Sequence, residues 1–216
     1  MLRYLFYMLL CCSFQTFGQD GYFLENPKTF NGGLVAGANF TQVDGDTYYG
    51  YNKVGLNAGA MVYVHFTEKV GATMELLYSQ KGSRGVDVSE SQSLGTFIQK
   101  YNMDLNYAEV PITIHYIYKN FDVETGISYG FLIKSSEWVF SDQPVIIDPI
   151  ANRFNNTDWD YILGLSHKLY KHYYVNARYQ YSIVDIRPTS RVPYGFSYGN
   201  AGQFNNLFNL RILYLF

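Results

Sequence analysis

Little of this sequence is charged: Lys, Arg, Asp and Glu make up 16% of 216 residues, 16 basic against 18 acidic, for a formal net charge of −2. Without a basic excess there is no electrostatic footprint for a polyanion, which excludes a nucleic-acid partner. Long apolar runs are equally scarce. The only one lies at the N-terminus, so a bundle of membrane-spanning helices is excluded too. Cysteine occurs twice, as Cys11 and Cys12, both inside that N-terminal stretch. What the chain has in quantity is aromatics, 22 Tyr, 16 Phe and 2 Trp, together with 19 Gly. That composition excludes a disordered tail and points to a single β-rich domain.

The first residues read as an address. Arg3 precedes an apolar stretch from Tyr4 to Leu10, and the more polar Ser13 to Gln19 places small residues, Thr16 and Gly18, where a signal peptidase needs them. The expected organisation is a cleaved signal peptide over 1–18, a periplasmic N-terminal segment over 19–32, and one domain over 33–216. The apolar stretch is too short to cross ~30 Å of hydrocarbon as a helix. Both cysteines leave with the signal, so the mature chain has no thiol for a disulfide, a zinc site or a nucleophile. A lipid anchor at Leu9-Leu10-Cys11-Cys12 is not expected, because a cysteine before the modified cysteine is a poor fit to the small residue needed there.

Beyond this the chain repeats one pattern, alternation and then a turn. Val54, Leu56, Ala58, Ala60, Val62, Val64 and Phe66 occupy every second position, with Gly55, Asn57, Gly59, Met61, Tyr63 and His65 between them. That is the period of a strand, sustained over a membrane thickness. The same holds from Val70 to Tyr78, Phe121 to Ile133, Trp159 to Leu169, Tyr173 to Ile183 and Phe208 to Phe216, and more weakly from Leu34 to Phe40 and Ala108 to Tyr116. Eight strands result. Their apolar faces carry no Asp, Glu, Lys or Arg, whereas the opposite faces carry Glu75, Lys81, Glu109, Glu124, Lys134, Asp158, Asp160, Lys168, Arg178 and Arg211.

Alternation alone does not choose the solvent, since a β-sandwich buries its apolar faces against each other. Three further features do. Connections alternate between tight ones, such as Lys119-Asn120 and Lys171-His172, and long ones, Asp44 to Asn52, Ser83 to Gly95, Ser135 to Asn156 and Asp185 to Gln203. Outer-membrane barrels have this asymmetry, with short periplasmic turns and long extracellular loops. Tyr116, Tyr118, Tyr170, Tyr173 and Tyr174 crowd the strand ends, as an interfacial girdle requires. Finally, Leu210 to Phe216 is a strand with an aromatic last residue, the form of signal read by the outer-membrane assembly machinery. Lipid offers the backbone no hydrogen-bond partners, so the sheet must close. The expected fold is all-β, an eight-stranded antiparallel up-and-down transmembrane β-barrel in the Gram-negative outer membrane, with both termini periplasmic.

Glu75-Leu76-Leu77-Tyr78-Ser79-Gln80-Lys81-Gly82, Leu105-Asn106-Tyr107-Ala108-Glu109-Val110-Pro111-Ile112 and Ala177-Arg178-Tyr179-Gln180-Tyr181 resemble segments of the PorT-like outer-membrane β-barrel family. The resemblance spans the mature chain and implies an eight-stranded barrel. Its founding member serves type IX secretion and gliding, so a role in such a machinery is what the resemblance suggests beyond the fold.

Eight strands enclose a bore just wide enough for side chains to fill. Glu75, Glu109, Glu124, Asp160, Arg178 and Arg211 are expected to meet there and pair, because an unpaired buried ion is very costly. Pro111 has no N–H for the ladder and is expected to mark a bulge. A catalytic Ser/His pair must share a face. Ser166 and His167 are adjacent and so point to opposite faces, His65 and His115 have no Ser two residues away, and His172 sits in a turn. No spacing suggests a metal, and neither cofactor nor enzymatic activity is expected.

Function is then expected in the long loops. Trp138, Phe140, Ile146, Ile147 and Phe154 make Ser135 to Asn156 unusually apolar, the mark of a surface for another envelope protein. Arg187 to Tyr194, basic and stiffened by Pro188 and Pro193, is placed to meet lipopolysaccharide phosphates. The expected role is a structural or accessory subunit of an envelope or secretion assembly in contact with outer-membrane lipid; the alternative is a small porin or solute-binding barrel.

Overall fold

A computed structural model describes residues 29–85, 89–91, 96–142 and 144–216. The expected signal peptide and residues 19–28 of the expected periplasmic segment lie outside the described residues.

Runs of Val, Ile, Tyr and Phe alternating with small or polar residues suit a pleated sheet with two unlike faces. They form β1 (Phe30–Asp44), β2 (Lys53–His65), β3 (Val70–Gly85), the three-residue β4 (Ser89–Ser91), β5 (Thr96–Tyr118), β6 (Phe121–Ser141), β7 (Thr157–Tyr170), β8 (Tyr173–Ser182) and β9 (Phe204–Leu215). Phe30 to Gly32 therefore belong to the first strand. β4 only extends the tip of β5; the other eight strands are antiparallel neighbours around a ring. The ring closes where β1 pairs with β9 from Gly33↔Leu215 to Asp44↔Phe204.

At one end the turns are tight. Lys119 (φ 57°) and Lys171 (φ 41°) take the left-handed conformation that two-residue hairpins require. In the first turn, the Thr67 hydroxyl accepts from the Val70 N–H at 3.0 Å. The opposite end carries the long connections.

The wall is inverted relative to a water-soluble protein. Leu76 (63% exposed), Ile114 (61%), Ile127, Leu163, Leu210 and Ile212 stand outward, while Glu75, Lys81, Glu109, Arg178 and Arg211 are almost wholly buried inside. Only an apolar solvent outside makes that arrangement favourable. From Phe121 to Phe131 on β6, ten steps at ~3.3 Å and a tilt of ~40° rise about 25 Å, the height of an outer-membrane apolar band.

Three sequence expectations change. Lys134 faces outward, because the pairing of β6 with β5 shifts from Tyr107↔Leu132 to Asn106↔Lys134 and the extra residue, Ile133, reverses the alternation above it. Pro111 marks no bulge. It pairs with Ser128 in unbroken register, and on its other side the ladder skips two pairs between Met74↔Ile112 and Leu77↔Glu109 without shifting. The missing N–H weakens one side of the ladder while both flanking strands hold the spacing. Lastly, Ser135 to Ser141 are strand and the connection is 142–156: the slightly longer β5 pairs with this part of β6 and carries the hairpin past the bilayer.

Candidate functional site

The polar interior is layered. Nearest the tight turns lies an apolar plate containing Val35, Met61, Tyr63, Leu77, Tyr174 and Leu213. Near the long loops lies a second, containing Val43, Tyr101, Leu105, Tyr107, Phe154 and Phe196. Between them the charged side chains of six strands interlock.

Arg178 on β8 is the hub of the first cluster. Its Nη2 donates to Glu75 Oε1 at 2.8 Å and Glu124 Oε2 at 2.9 Å, and its Nε to Glu124 Oε1 at 2.9 Å. Arg211 on β9 donates from Nη1 to Glu75 Oε2 at 2.9 Å and from Nε to Asn176 Oδ1 at 2.8 Å. Asn176 Nδ2 in turn donates to Glu124 Oε1 at 2.8 Å and to Ser166 Oγ at 2.9 Å. Two guanidinium and two carboxylate groups tie β3, β6, β8 and β9 together. Gly164 makes the room: a Cβ there would collide with the Glu124 carboxylate.

Lys81 on β3 is the hub of the second. Its Nζ lies 2.6 Å from Glu109 Oε1, 3.0 Å from Asp158 Oδ2 and 2.5 Å from Asp160 Oδ2, all fully buried. Ser182 Oγ and Asn205 Nδ2 each donate to Asp158 at 2.8 Å. Of the six residues expected in the lumen network, Glu75, Glu124, Arg178 and Arg211 share one cluster, and Glu109 and Asp160 share the other.

A smaller chain of hydrogen bonds joins residues that the sequence reading left unassigned. His115 Nδ1 lies 2.8 Å from Asp122 Oδ2, and its Nε2 lies 2.8 Å from Thr113 Oγ1 and 3.0 Å from Thr73 Oγ1. The order Asp–His–Thr has the chemistry of an activated nucleophile. Here, however, Thr73 and Thr113 are 2% and 0% exposed and bond to each other at 2.6 Å. Both hydroxyls are thus buried, and the hydrogen-bonded chain joins β3, β5 and β6. Ser166 points inward to Asn176, and His167 packs at a tilt against Phe121.

At the long-loop end, Arg187 is fully buried rather than offered to phosphates. It donates to Glu137 Oε2 at 2.7 Å and Gln203 Oε1 at 2.8 Å and lies 4.2 Å over the Phe154 ring. Phe154, expected on a partner surface, is thereby committed to the upper plate. The other four candidate loop residues sit elsewhere: Trp138 and Phe140 outward on β6, Ile146 almost fully exposed, and Ile147 lining a cleft beside β6.

The first long loop closes over this end through Tyr48, stacked 4.6 Å from Tyr101, which stacks 5.3 Å from Phe196. Beneath it Asp46 is 2% exposed and accepts the Tyr48 N–H at 2.8 Å. Burial pushes its carboxyl up from 3.8 to about 7, against the pull of the bonds from Ser83 and Tyr48. A carboxyl raised in the folded state contributes fully below its unfolded pKa of 3.8, and the contribution is lost as pH rises through about 7. Amide exchange in residues 45–52, corrected for its intrinsic pH dependence, should therefore accelerate through that range, and Asp46→Asn should flatten the rise.

The family model for the outer membrane protein beta-barrel domain matches residues 17–187. The chain belongs to this family. It is accordingly an integral eight-stranded β-barrel of the Gram-negative outer membrane. Similar solved structures of outer-membrane barrels include Ail, the attachment invasion locus protein of Yersinia pestis, 15% identical over 88% of this chain and 100% of Ail, with a TM-score of 0.48. Neisserial surface protein A is 8% identical over 89% of this chain and 100% of its own, also at 0.48. No curated protein matches the chain.

Within this outer-membrane barrel the sequence places the ions on the inner face but does not sort them into two clusters. Pairings such as Arg178 with Glu75, 103 residues apart, depend on strand register around the whole ring. Asp122 and His115 were within reach of sequence reasoning: both alternate inward on either side of the Lys119-Asn120 hairpin.

Proposed function

We propose that this barrel is a non-enzymatic structural or accessory subunit of an envelope assembly, binding another envelope protein at its long-loop end. Both termini lie on the periplasmic side, where an even number of strands leaves them, and the long loops face outward from the cell. The observation that carries this reading is apolar surface beyond the bilayer. Trp138 is seven residues past Phe131, about 18 Å above the apolar band. It is accompanied by Phe140, Ile146 (88% exposed), Ile150, Tyr194 and Tyr198. Exposed apolar groups in water, clustered on one end, mark a contact surface. The filled lumen supports the same reading, because it leaves the bore no role as a conduit.

The PorT-like segments favour a secretion or gliding-like machinery as the assembly, and outer-membrane lipid and lipopolysaccharide as the surroundings of the wall. The C-terminal strand ending at Phe216 is the part that engages the outer-membrane assembly machinery. Replacing residues 144–150 with a Gly/Ser linker should leave heat-modifiable folding intact and abolish stoichiometric co-purification of the partner from mild-detergent extracts. Unchanged recovery of the same partner would count against this end as the contact.

A further inference from the structure

β6 outlives its neighbour. Its pairing with β7 stops at Phe131↔Thr157, whereas its pairing with β5 continues up to Ile98↔Ser141. Above that point, among the described residues, the far edge of β6 has no strand beside it. The last backbone bond there runs from Leu132 N–H to Asn156 C=O at 2.8 Å; among the described residues none joins 133–140 to anything but β5. The connection beside this edge is tied to the last loop instead. Asn155 N–H donates to Ile186 C=O and Asn155 Nδ2 to Asp185 C=O, while Asn152 Nδ2 donates to Arg191 C=O, all in the last loop. A cleft of about 390 Å³ is left between Ser135, Ser136 and Glu137 on the edge and Ile147, Pro149 and Arg153 on the loop.

Natural sheets protect exposed edges with prolines, charges or bulges. Above the bulge at Ile133, from Ser135 to Phe140, this edge has no proline, one acidic residue, Glu137, whose carboxylate is already held by Arg187 and Tyr101, and two exposed aromatics, Trp138 and Phe140. Arg153 lines this cleft, and Lys134 stands at the foot of the edge on the outer face, beside Lys53 and Asp104; neither forms an ion pair with another described residue. An edge of unpaired N–H and C=O groups recognises an extended backbone, exposed aromatics recognise apolar side chains, and free cations recognise carboxylates.

We infer that the free edge of β6 over residues 134–140 takes up an extended, acidic and apolar segment of the partner protein as an added strand. This rests on the proposed role as a subunit and names how the partner is held.

The test uses the full folded barrel in lipid and an N-acetylated probe peptide of alternating valine and glutamate, about eight residues long. Hydrogen exchange of the amides in 134–140 should slow on adding the peptide. An analogue N-methylated at alternate residues along its pairing edge should give no protection, and a valine–lysine peptide should give less. Absence of protection by valine–glutamate, or equal protection by the N-methylated analogue, would overturn strand addition. Equal protection by valine–lysine would overturn the acidic chemistry. Because the readout is made on the purified barrel, failure here with loss of the partner on replacing 144–150 would remove the strand and keep the subunit, while protection with no partner recovered would do the reverse.

Discussion

Replacing Arg178 with Met is expected to destabilise the folded barrel by about 3–5 kcal/mol, the cost of leaving buried charge without its counter-ion. The size of the effect comes from what remains behind. Glu75 and Glu124 would face each other across the lumen with only Arg211 between them, and the two donors that now hold both Glu124 oxygens, Nε and Nη2, would be gone. The same geometry makes a second result diagnostic. Combining Arg178→Met with Glu75→Gln and Glu124→Gln removes the stranded charges, so most of the loss should return even though every ion pair of Arg178 is absent. Denaturant unfolding in lipid vesicles reads both variants. If the triple variant is as damaged as the single one, the loss comes from packing volume rather than charge.

The second large effect concerns the outer wall. Ile127 lies midway between Phe121 and Phe131 on β6 and is 45% exposed. Ile127→Arg should cost about 2–4 kcal/mol, the range for a cation at the midplane of an outer-membrane barrel. Trp138→Arg, on the outward face of the same strand and with the same exposure to within a percentage point, should change stability by no more than about 0.5 kcal/mol because it stands in water. Exposure is equal at the two sites, so only the solvent differs. Equal costs would place both residues in the same medium and contradict the position assigned to the bilayer.

These two predictions also separate what the sequence carries from what it does not. Which residues face lipid is a local property, written in a period of two, and Ile127 is outward by counting from its neighbours alone. Parity survives as long as no residue is inserted. At Ile133 one is, and every side chain above it on β6 changes face, so that Lys134 turns outward and Glu137 turns inward to Arg187. The apolar–polar pattern weakens at that height because the strand leaves the lipid, which removes the selection that made the alternation readable. Pro111 is the converse case: a residue that signals irregularity on its own is held in register by strands on both sides.

The lumen is legible to a similar depth. A charge on the polar side of a membrane strand has to find a partner, and Glu75, Glu124, Arg178 and Arg211 are recognisable as candidates for that reason alone. Who pairs with whom is a matter of shear, the stagger accumulated around the closed ring, which no single strand encodes. Lys81 therefore meets Glu109 on the next strand of the ring and Asp158 and Asp160 across the bore, while Asp122 secures His115. The loops are least legible. Phe154 and Arg187 look in sequence like surface groups and are instead stacked together under the closed end.

Two apolar plates bracket two ion clusters, and no side chain among them is free to leave without stranding another. The proposed role puts function on the surface beyond the bilayer and leaves the bore structural. Planar-bilayer recording on the folded, heat-modifiable protein tests that division most directly. A silent membrane across the whole voltage range at which the bilayer is stable is the predicted result; stable unitary conductance steps, abolished on unfolding the same preparation, would contradict it.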